Sequence, residues 1–245
     1  MKIYAIGDVH LSFTAPVDPG NWSGVRIHKP MDIFGDLWAE HYRKLYVNWL
    51  ELVEPQDLVL MPGDISWAKK LSEAKHDLGF LGALPGTIVA VPGNHEYWWQ
   101  SLKQVRQSLP PNMRVLQNDC LMVGDLALCG TRGWVCPNAG SFNEEDEKIY
   151  RRELIRLENS LRCARPAGKK LVAMMHFMPT NEQHERSGFI DLFLEYGVGT
   201  VVYGHLHANA SRWRLPDEAW GIDFHLVSAD YLRFAPLLIG ESDGD

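Results

Sequence analysis

Five short apolar runs in this chain each finish on residues of the kind that bind metals or move protons. "KIYAIGDVH" ends in Asp8 and His10, "DLVLMPGD" in Asp64, and "TIVAVPGNHE" in Asn94 and His95. "KKLVAMMH" ends in His176, and "GTVVYGHLH" in His205 and His207. Short apolar runs bounded by turn residues read as buried strands. Amphipathic stretches separate them, the alternation that builds a layered α/β sheet. Open α/β sheets place their sites at the carboxyl ends of strands, where loops diverge and polar groups leave the core undisturbed. The eight residues are therefore expected to be neighbours in space. The i,i+2 pairs Asp8/His10 and His205/His207 project to one side in an extended chain. The adjoining glycines let the backbone turn sharply and approach closely.

Carboxylate, imidazole and one carboxamide oxygen, with no thiolate, suit Mn, Fe, Zn or Co. Seven ligands exceed one tetrahedral site. They fit two ions sharing a bridging carboxylate, which at a separation of about 3.5–4 Å is the arrangement that cleaves phosphoesters. Taken alone, "GDVH" is more often a turn or a cap than a ligand pair. "GNHE" is rarer: GNH followed by an acid arises by chance on the order of 0.003 times in a chain this long. The remaining histidines, His28, His41, His76, His184 and His225, fall in loops, helices or a late strand and read as surface or core groups.

The 245 residues, 46% hydrophobic, are enough to bury a substantial core. Residues 1–240 read as one domain. Residues 11–35, rich in Pro, Gly, Asn and Asp, read as a long loop insertion near the site, and 241–245 as a frayed tail. Helices are expected over 36–53, 67–81, 98–109, 144–165 and 190–196, and a hairpin turning at Gly124-Asp125. Late strands are expected near 210–214 and 222–227. The net charge of −7, without a basic block, argues against stable nucleic-acid binding. The four cysteines make no C-x-x-C and read as reduced, mostly buried thiols. The opening apolar run is too short for a secretory signal, and no stretch approaches the ~20 apolar residues of a membrane span. A cytoplasmic protein with no membrane partner is expected.

The motifs "GDVH", "PGDI", "GNHE", "MHF" and "GHLH" stand in the order and spacing of the calcineurin-like metallophosphoesterases, and the chain resembles that family from Asp8 to His207. The resemblance implies an α/β four-layer sandwich of two mixed β-sheets flanked by helices, the metallo-dependent phosphatase fold. It implies a dinuclear centre of divalent or trivalent Mn, Fe or Zn, with Asp8, His10 and His207 on one ion and Asn94, His176 and His205 on the other. Asp64 would bridge them. His95 would bind no metal, acting as general acid on the leaving group or as a hydrogen-bond donor to the phosphoryl oxygens. The activity implied is hydrolysis of a phosphate mono- or diester, small-molecule or nucleotide, by in-line attack of a hydroxide shared by the ions. The competing reading is a catalytically silent binding module using the fold as a protein-interaction surface. Such descendants usually lose a ligand or the histidine, and this chain keeps all of them. The oligomeric state stays open.

Several further residues carry two readings. Arg132 in "GTRGW" clamps a phosphate or pairs with the acidic "NEEDE" segment. Trp67 and Tyr97 wall the pocket or pack in the core. Arg26, His28 and Lys29 reach over the metals or stay solvated. Glu96 orients His95 or another ligand.

Overall fold

Residues alternate from face to face along a strand, and here both faces are apolar, so each sheet needs a cover on either side. The computed structural model describes residues 1–140 and 142–242 and meets that need with two sheets and five helices among them. The first sheet comprises β1 (Lys2–Ala5), β2 (Leu58–Pro62), β3 (Thr87–Val91), β4 (Met113–Val115) and β11 (Leu237–Glu241), in the order β11-β1-β2-β3-β4. The second comprises β5 (Leu121–Val123), β6 (Leu126–Thr131), β7 (Lys170–Met175), β8 (Val198–Tyr203), β9 (Glu218–Ala219) and β10 (Ile222–Leu226), in the order β5-β6-β7-β8-β10-β9. Both sheets are mixed: β11, β5 and β9 run antiparallel to their neighbours, and the other pairings are parallel.

One set of alternate residues packs sheet against sheet: Ile3, Ala5, Leu58 and Leu60 meet Leu128, Val172, Met174 and Val202. The other set faces outward. Tyr4, Val59 and Met61 pack under α1 (His41–Leu52), α2 (Leu71–Gly82) and α3 (Leu102–Ser108). Ala127, Ala173 and Val201 pack under α4 (Glu144–Ala164) and α5 (Gly188–Tyr196). Helix, sheet, sheet and helix make the four layers. The helix ends are set locally. The Asn143 side chain accepts from the amides of Glu145 and Asp146, and four acids occupy the first turn, where the helix dipole favours them. Ser187 caps α5 in the same way, and Gly197 closes it at φ 74°.

Boundaries move where tertiary needs override periodicity. The helix expected from residue 36 begins at His41, because Glu40 takes a left-handed conformation and Asp36–Trp38 form a separate 3-10 turn. Of the apolar residues Leu37, Tyr42, Leu45, Trp49 and Leu52, whose spacing marks a helix over 36–53, Leu37 and Leu52 are exposed and the other three are buried. The segment expected as a strand near 210–214 is a 3-10 helix, Ala208–Trp213. β4, β9 and β11 were not expected. Their runs are short, and their pairing is set by distant chain. Of the tail, Glu241 closes β11 and Ser242 donates its amide to the Met1 carbonyl, while 243–245 lie outside the described residues.

The cysteine expectation is corrected. Cys120 and Cys163 form a disulfide with Cα atoms 5.8 Å apart, and Cys129 and Cys136 are free and buried. The pairing joins the residue before β5 to the last turn of α4. It depends on how far that helix runs back, which cysteine spacing alone does not reveal. No helix among the described residues is long and apolar enough to cross a membrane.

Candidate metal centre

All eight expected residues converge beyond the carboxyl ends of β1, β2, β3, β7 and β8. Asp8 is fully buried, with its Oδ1 3.3 Å from His207 Nε2, and His207 Nε2 is 3.3 Å from His10 Nε2. Asn94 Oδ1 lies 2.6 Å from His176 Nε2, which lies 3.2 Å from His205 Nδ1. Asp64 Oδ2 stands between the two sets, 3.8 Å from His10 Nε2 and 3.5 Å from His176 Nε2. Two triads, Asp8/His10/His207 and Asp8/Asp64/His176, each offer ligand atoms within 4.8 Å of one another.

The donor set fits a cation. His176 Nδ1 faces the Pro62 carbonyl at 3.0 Å, and a carbonyl oxygen only accepts, so Nδ1 carries the proton and neutral Nε2 presents a lone pair. That lone pair points at the Asn94 carboxamide and His205 Nδ1. Protein groups alone leave these atoms facing one another with too few protons to share, and a positive ion among them reconciles the contacts. Burial holds the His10, His176 and His205 imidazoles in the neutral form that ligates, with His205 pushed down to about 3 by burial and the His176 charge. Burial and the Asp8 charge push Asp64 up to about 8. His207 departs from the other imidazoles: burial lowers it, but the hydrogen bonds to Asp230 and Asp8 push it up to about 10, the charge an ion at Nε2 would replace. Asp8 departs from Asp64. Burial raises it, but the His207 hydrogen bond and the His176, His207 and His10 charges hold it below the usual carboxylate range. Two close carboxylates that ionise together only at a cost are what a bridging cation relieves.

The backbone is strained where the ligands leave it. Asp8, His10, Asp64 and His205 all take positive φ, between 47° and 71°. The i,i+2 pairs therefore meet through left-handed turns, a correction to the extended pleat expected. The motif glycines act in two ways. Gly63 turns at φ 87°. At Gly93 and Gly204 the constraint is space: an added Cβ would lie 2.1 Å from Asp64 Oδ1 and 2.1 Å from Asp8 Oδ2 respectively. The carboxylates also tie the loops together. Asp64 Oδ1 accepts from the His95 amide at 2.9 Å, and both Asp8 oxygens accept from the His205 amide at 3.1 and 3.0 Å.

Of its two readings, Glu96 orients another ligand, Asp64, rather than the His95 ring. Its buried carboxylate accepts from the amides of Asp64 (2.9 Å), Ile65 (2.5 Å), Ser66 (3.3 Å) and Gly93 (2.5 Å), bracing the Asp64 and Asn94 turns against each other. Burial and the Asp64 charge push it up to about 7. Asp230, past the end of β10, was not singled out from the sequence. Its Oδ1 is 2.8 Å from His207 Nδ1, and its Oδ2 accepts from the Ala208 amide at 2.9 Å, fixing the ring so that Nε2 faces Asp8. The signal was present: "FHLVSAD" is another apolar run closing on an acid, offset by a few residues.

A cavity of about 300 Å³ opens beside the ligands, with Trp67 and His95 in its wall. Trp67 stacks on His10 (centroids 4.8 Å, 18°) and contacts His95 at 4.1 Å, so it is pocket wall. Tyr97 is exposed, 6.3 Å from the His95 ring, while Trp98 is buried in the core. Lys29 Nζ sits 2.9 Å from the Trp67 ring centre, and with Met31 and Phe34 in the cavity wall it brings the 11–35 segment to the site. Arg132 pairs with the buried Glu153 of α4 at 3.4 Å, not with the acidic 143–147 segment.

A protein of unknown function from Aquifex aeolicus shares the fold, with a TM-score of 0.52 at 13% identity over 96% of this chain and 94% of that one. A phosphopantetheinyl hydrolase from Mycobacterium tuberculosis aligns at a TM-score of 0.48 and 15% identity, over 97% and 95%. No curated protein matches the chain. The profile of the calcineurin-like phosphoesterases matches residues 1–209, and with the two mixed sheets flanked by helices it establishes that the chain belongs to that family.

Proposed function

We propose that the protein is a dinuclear metal-dependent phosphohydrolase acting on a phosphate mono- or diester of a small molecule or nucleotide. The observation that carries this reading is Asp64 Oδ2, set between the His10 and His176 nitrogens at 3.8 and 3.5 Å. Asp8, His10 and His207 would hold one ion and Asn94, His176 and His205 the other, with Asp64 placed to serve both. Oxygen and imidazole ligands without thiolate suit Mn, Fe or Zn. Such ions, when bound, supply Lewis acidity and make water a nucleophile near neutral pH.

The chain's own residues do the rest. The His176 Nδ1–H to Pro62 bond and the Asp230 bond to His207 hold two imidazoles in the ligating tautomer. Glu96 fixes the backbone from which Asp64 and Asn94 project. His95, with Nε2 3.9 Å from Asp64 Oδ2 and its side chain 30% exposed, is the proton donor to the leaving alkoxide. Burial and the His176 and Lys29 charges push this ring down to about 4, and the negative charge of a bound phosphate pulls it back toward protonation.

The test is Asp64→Asn. Turnover of an aryl phosphate should fall about a thousandfold or more, with bound metal reduced in parallel. Undiminished turnover by protein stripped of metal overturns the reading.

A further inference from the structure

The cavity beside the ligands has a second chemistry. Apart from five of the site residues (His10, Asp64, His95, His205 and His207) and Asp230, its wall is Met31, Phe34, Trp38, Trp67 and Ala208, and the one cation beside it, Lys29, lies over the Trp67 ring. Met31 and Trp38 are buried, with Trp38 5.9 Å from both His10 and His207. Phe34 lines the same cavity yet is 59% exposed, and it is flanked by Ile33 at 67% and Leu37 at 44%. Three large apolar side chains stand open to solvent within five residues, at the mouth of a site built for an anion. Scattered exposed apolar residues need no explanation, but a cluster continuous with an apolar pocket marks a binding surface. The backbone is arranged to present them. Two 3-10 turns, Asp32–Phe34 and Asp36–Trp38, meet at Gly35, whose φ of 124° lets the segment fold over so that Met31 and Trp38 point inward and Phe34 rims the opening.

We infer that the alcohol side of the ester carries an apolar group, an alkyl chain or an aromatic ring, seated on Met31, Phe34 and Trp38 while the phosphoryl group faces the histidines. This rests on the phosphohydrolase reading. Water adds to phosphorus, the P–O bond to the alcohol breaks, and the alcohol leaves with the proton that His95 delivers. The apolar group takes no part in the bond changes. It contributes binding by leaving water, and the residues that seat it set specificity.

The experiment measures kcat/KM of metal-loaded protein on ethyl, hexyl and 2-phenylethyl phosphate, each also offered as its methyl diester. The three alcohols leave with similar basicity, so the chemistry is held constant and only the apolar group changes. Hexyl and phenylethyl esters should exceed the ethyl ester by about tenfold or more, mainly through KM. Phe34→Ser, an exposed position where folding is not at stake, should reduce that ratio several-fold. A further arm compares hexyl phosphate with phosphatidic acid in vesicles. Faster cleavage of the lipid identifies the apolar group as a membrane acyl chain, and faster cleavage of the soluble ester identifies a free alcohol. Equal rates across the ethyl, hexyl and phenylethyl series overturn the inference and leave the phosphohydrolase standing. No turnover of any ester overturns the phosphohydrolase reading itself.

Discussion

The two sheets meet at the site from opposite sides and contribute differently. The first sheet delivers both ligand carboxylates, Asp8 and Asp64, with Asn94 and His95. Three of its site residues, Asp8, His10 and Asp64, leave the backbone in strained left-handed turns. The second delivers His176, His205 and His207, two of them aimed by a hydrogen bond from the ring. The first half therefore fixes its ligands through the main chain and Glu96; in the second, His205 also leaves a left-handed turn, but His176 and His207 are fixed through their rings. The difference teaches where each half is vulnerable. Backbone bracing fails together with the fold, whereas ring orientation can fail while the fold survives.

The most severe break is at the junction. Gly204→Ala puts a Cβ 2.1 Å from Asp8 Oδ2 and should remove bound metal and all measurable hydrolysis. Gly199→Ala, earlier on β8 with nothing within 4 Å of the added Cβ, should leave metal content and rate intact; equal damage by both would refute the steric argument. Next in size is His95→Asn, which should slow alkyl ester hydrolysis by about 10²–10⁴-fold and aryl ester hydrolysis far less, because a phenolate needs little protonation to leave. A uniform loss on both esters would instead make His95 a phosphoryl contact.

The comparison itself is sharpened by the two braces. Asp230→Asn should weaken metal binding about 10–100-fold in a titration while the melting temperature of chelated protein barely moves. Glu96→Gln should destabilise the chelated protein by about 2 kcal/mol, since an amide in its place cannot accept all four backbone donors. Identical behaviour of the two variants would erase the distinction between the halves. The smallest effect is a slope. Burial pushes Asp77 up to about 7 against hydrogen bonds from Ser66 and Phe13. A carboxyl whose folded pKa is raised binds its proton more tightly when folded, so its stabilising share is complete below about pH 4 and lost as pH rises toward 7. Asp77→Asn should flatten the melting temperature over that window, outside the metal ligands.

Much of this was legible because chemistry concentrates where apolar runs stop. Each ligand sits at the end of a run whose hydrophobicity fixes its depth, and the motif order fixes the family. The means of support was harder to read. Glycine at 93 and 204 suggested turning and close approach; that the close approach makes room for a carboxylate oxygen lives in pairs of residues distant in sequence. Asp230 lacks a motif because its partner is a ring twenty-three positions earlier. The disulfide and β11 escaped for the same reason: each closes a loop whose length sets the partner. Trp67 was legible as pocket wall or core aromatic, and only its stacking on His10 decides between them, because a stacking partner is chosen in three dimensions.

The Asp8 carboxylate is gripped by an amide 197 positions later. Closing so long a loop loses entropy before the contact returns anything, which makes this grip a late contact in folding. During synthesis Asp8 and His10 emerge well before His205 and His207, which complete the site. Neither triad of ligands can assemble from the first half alone. Formation of the full ligand set, followed as metal uptake during refolding, therefore reports completion of the fold.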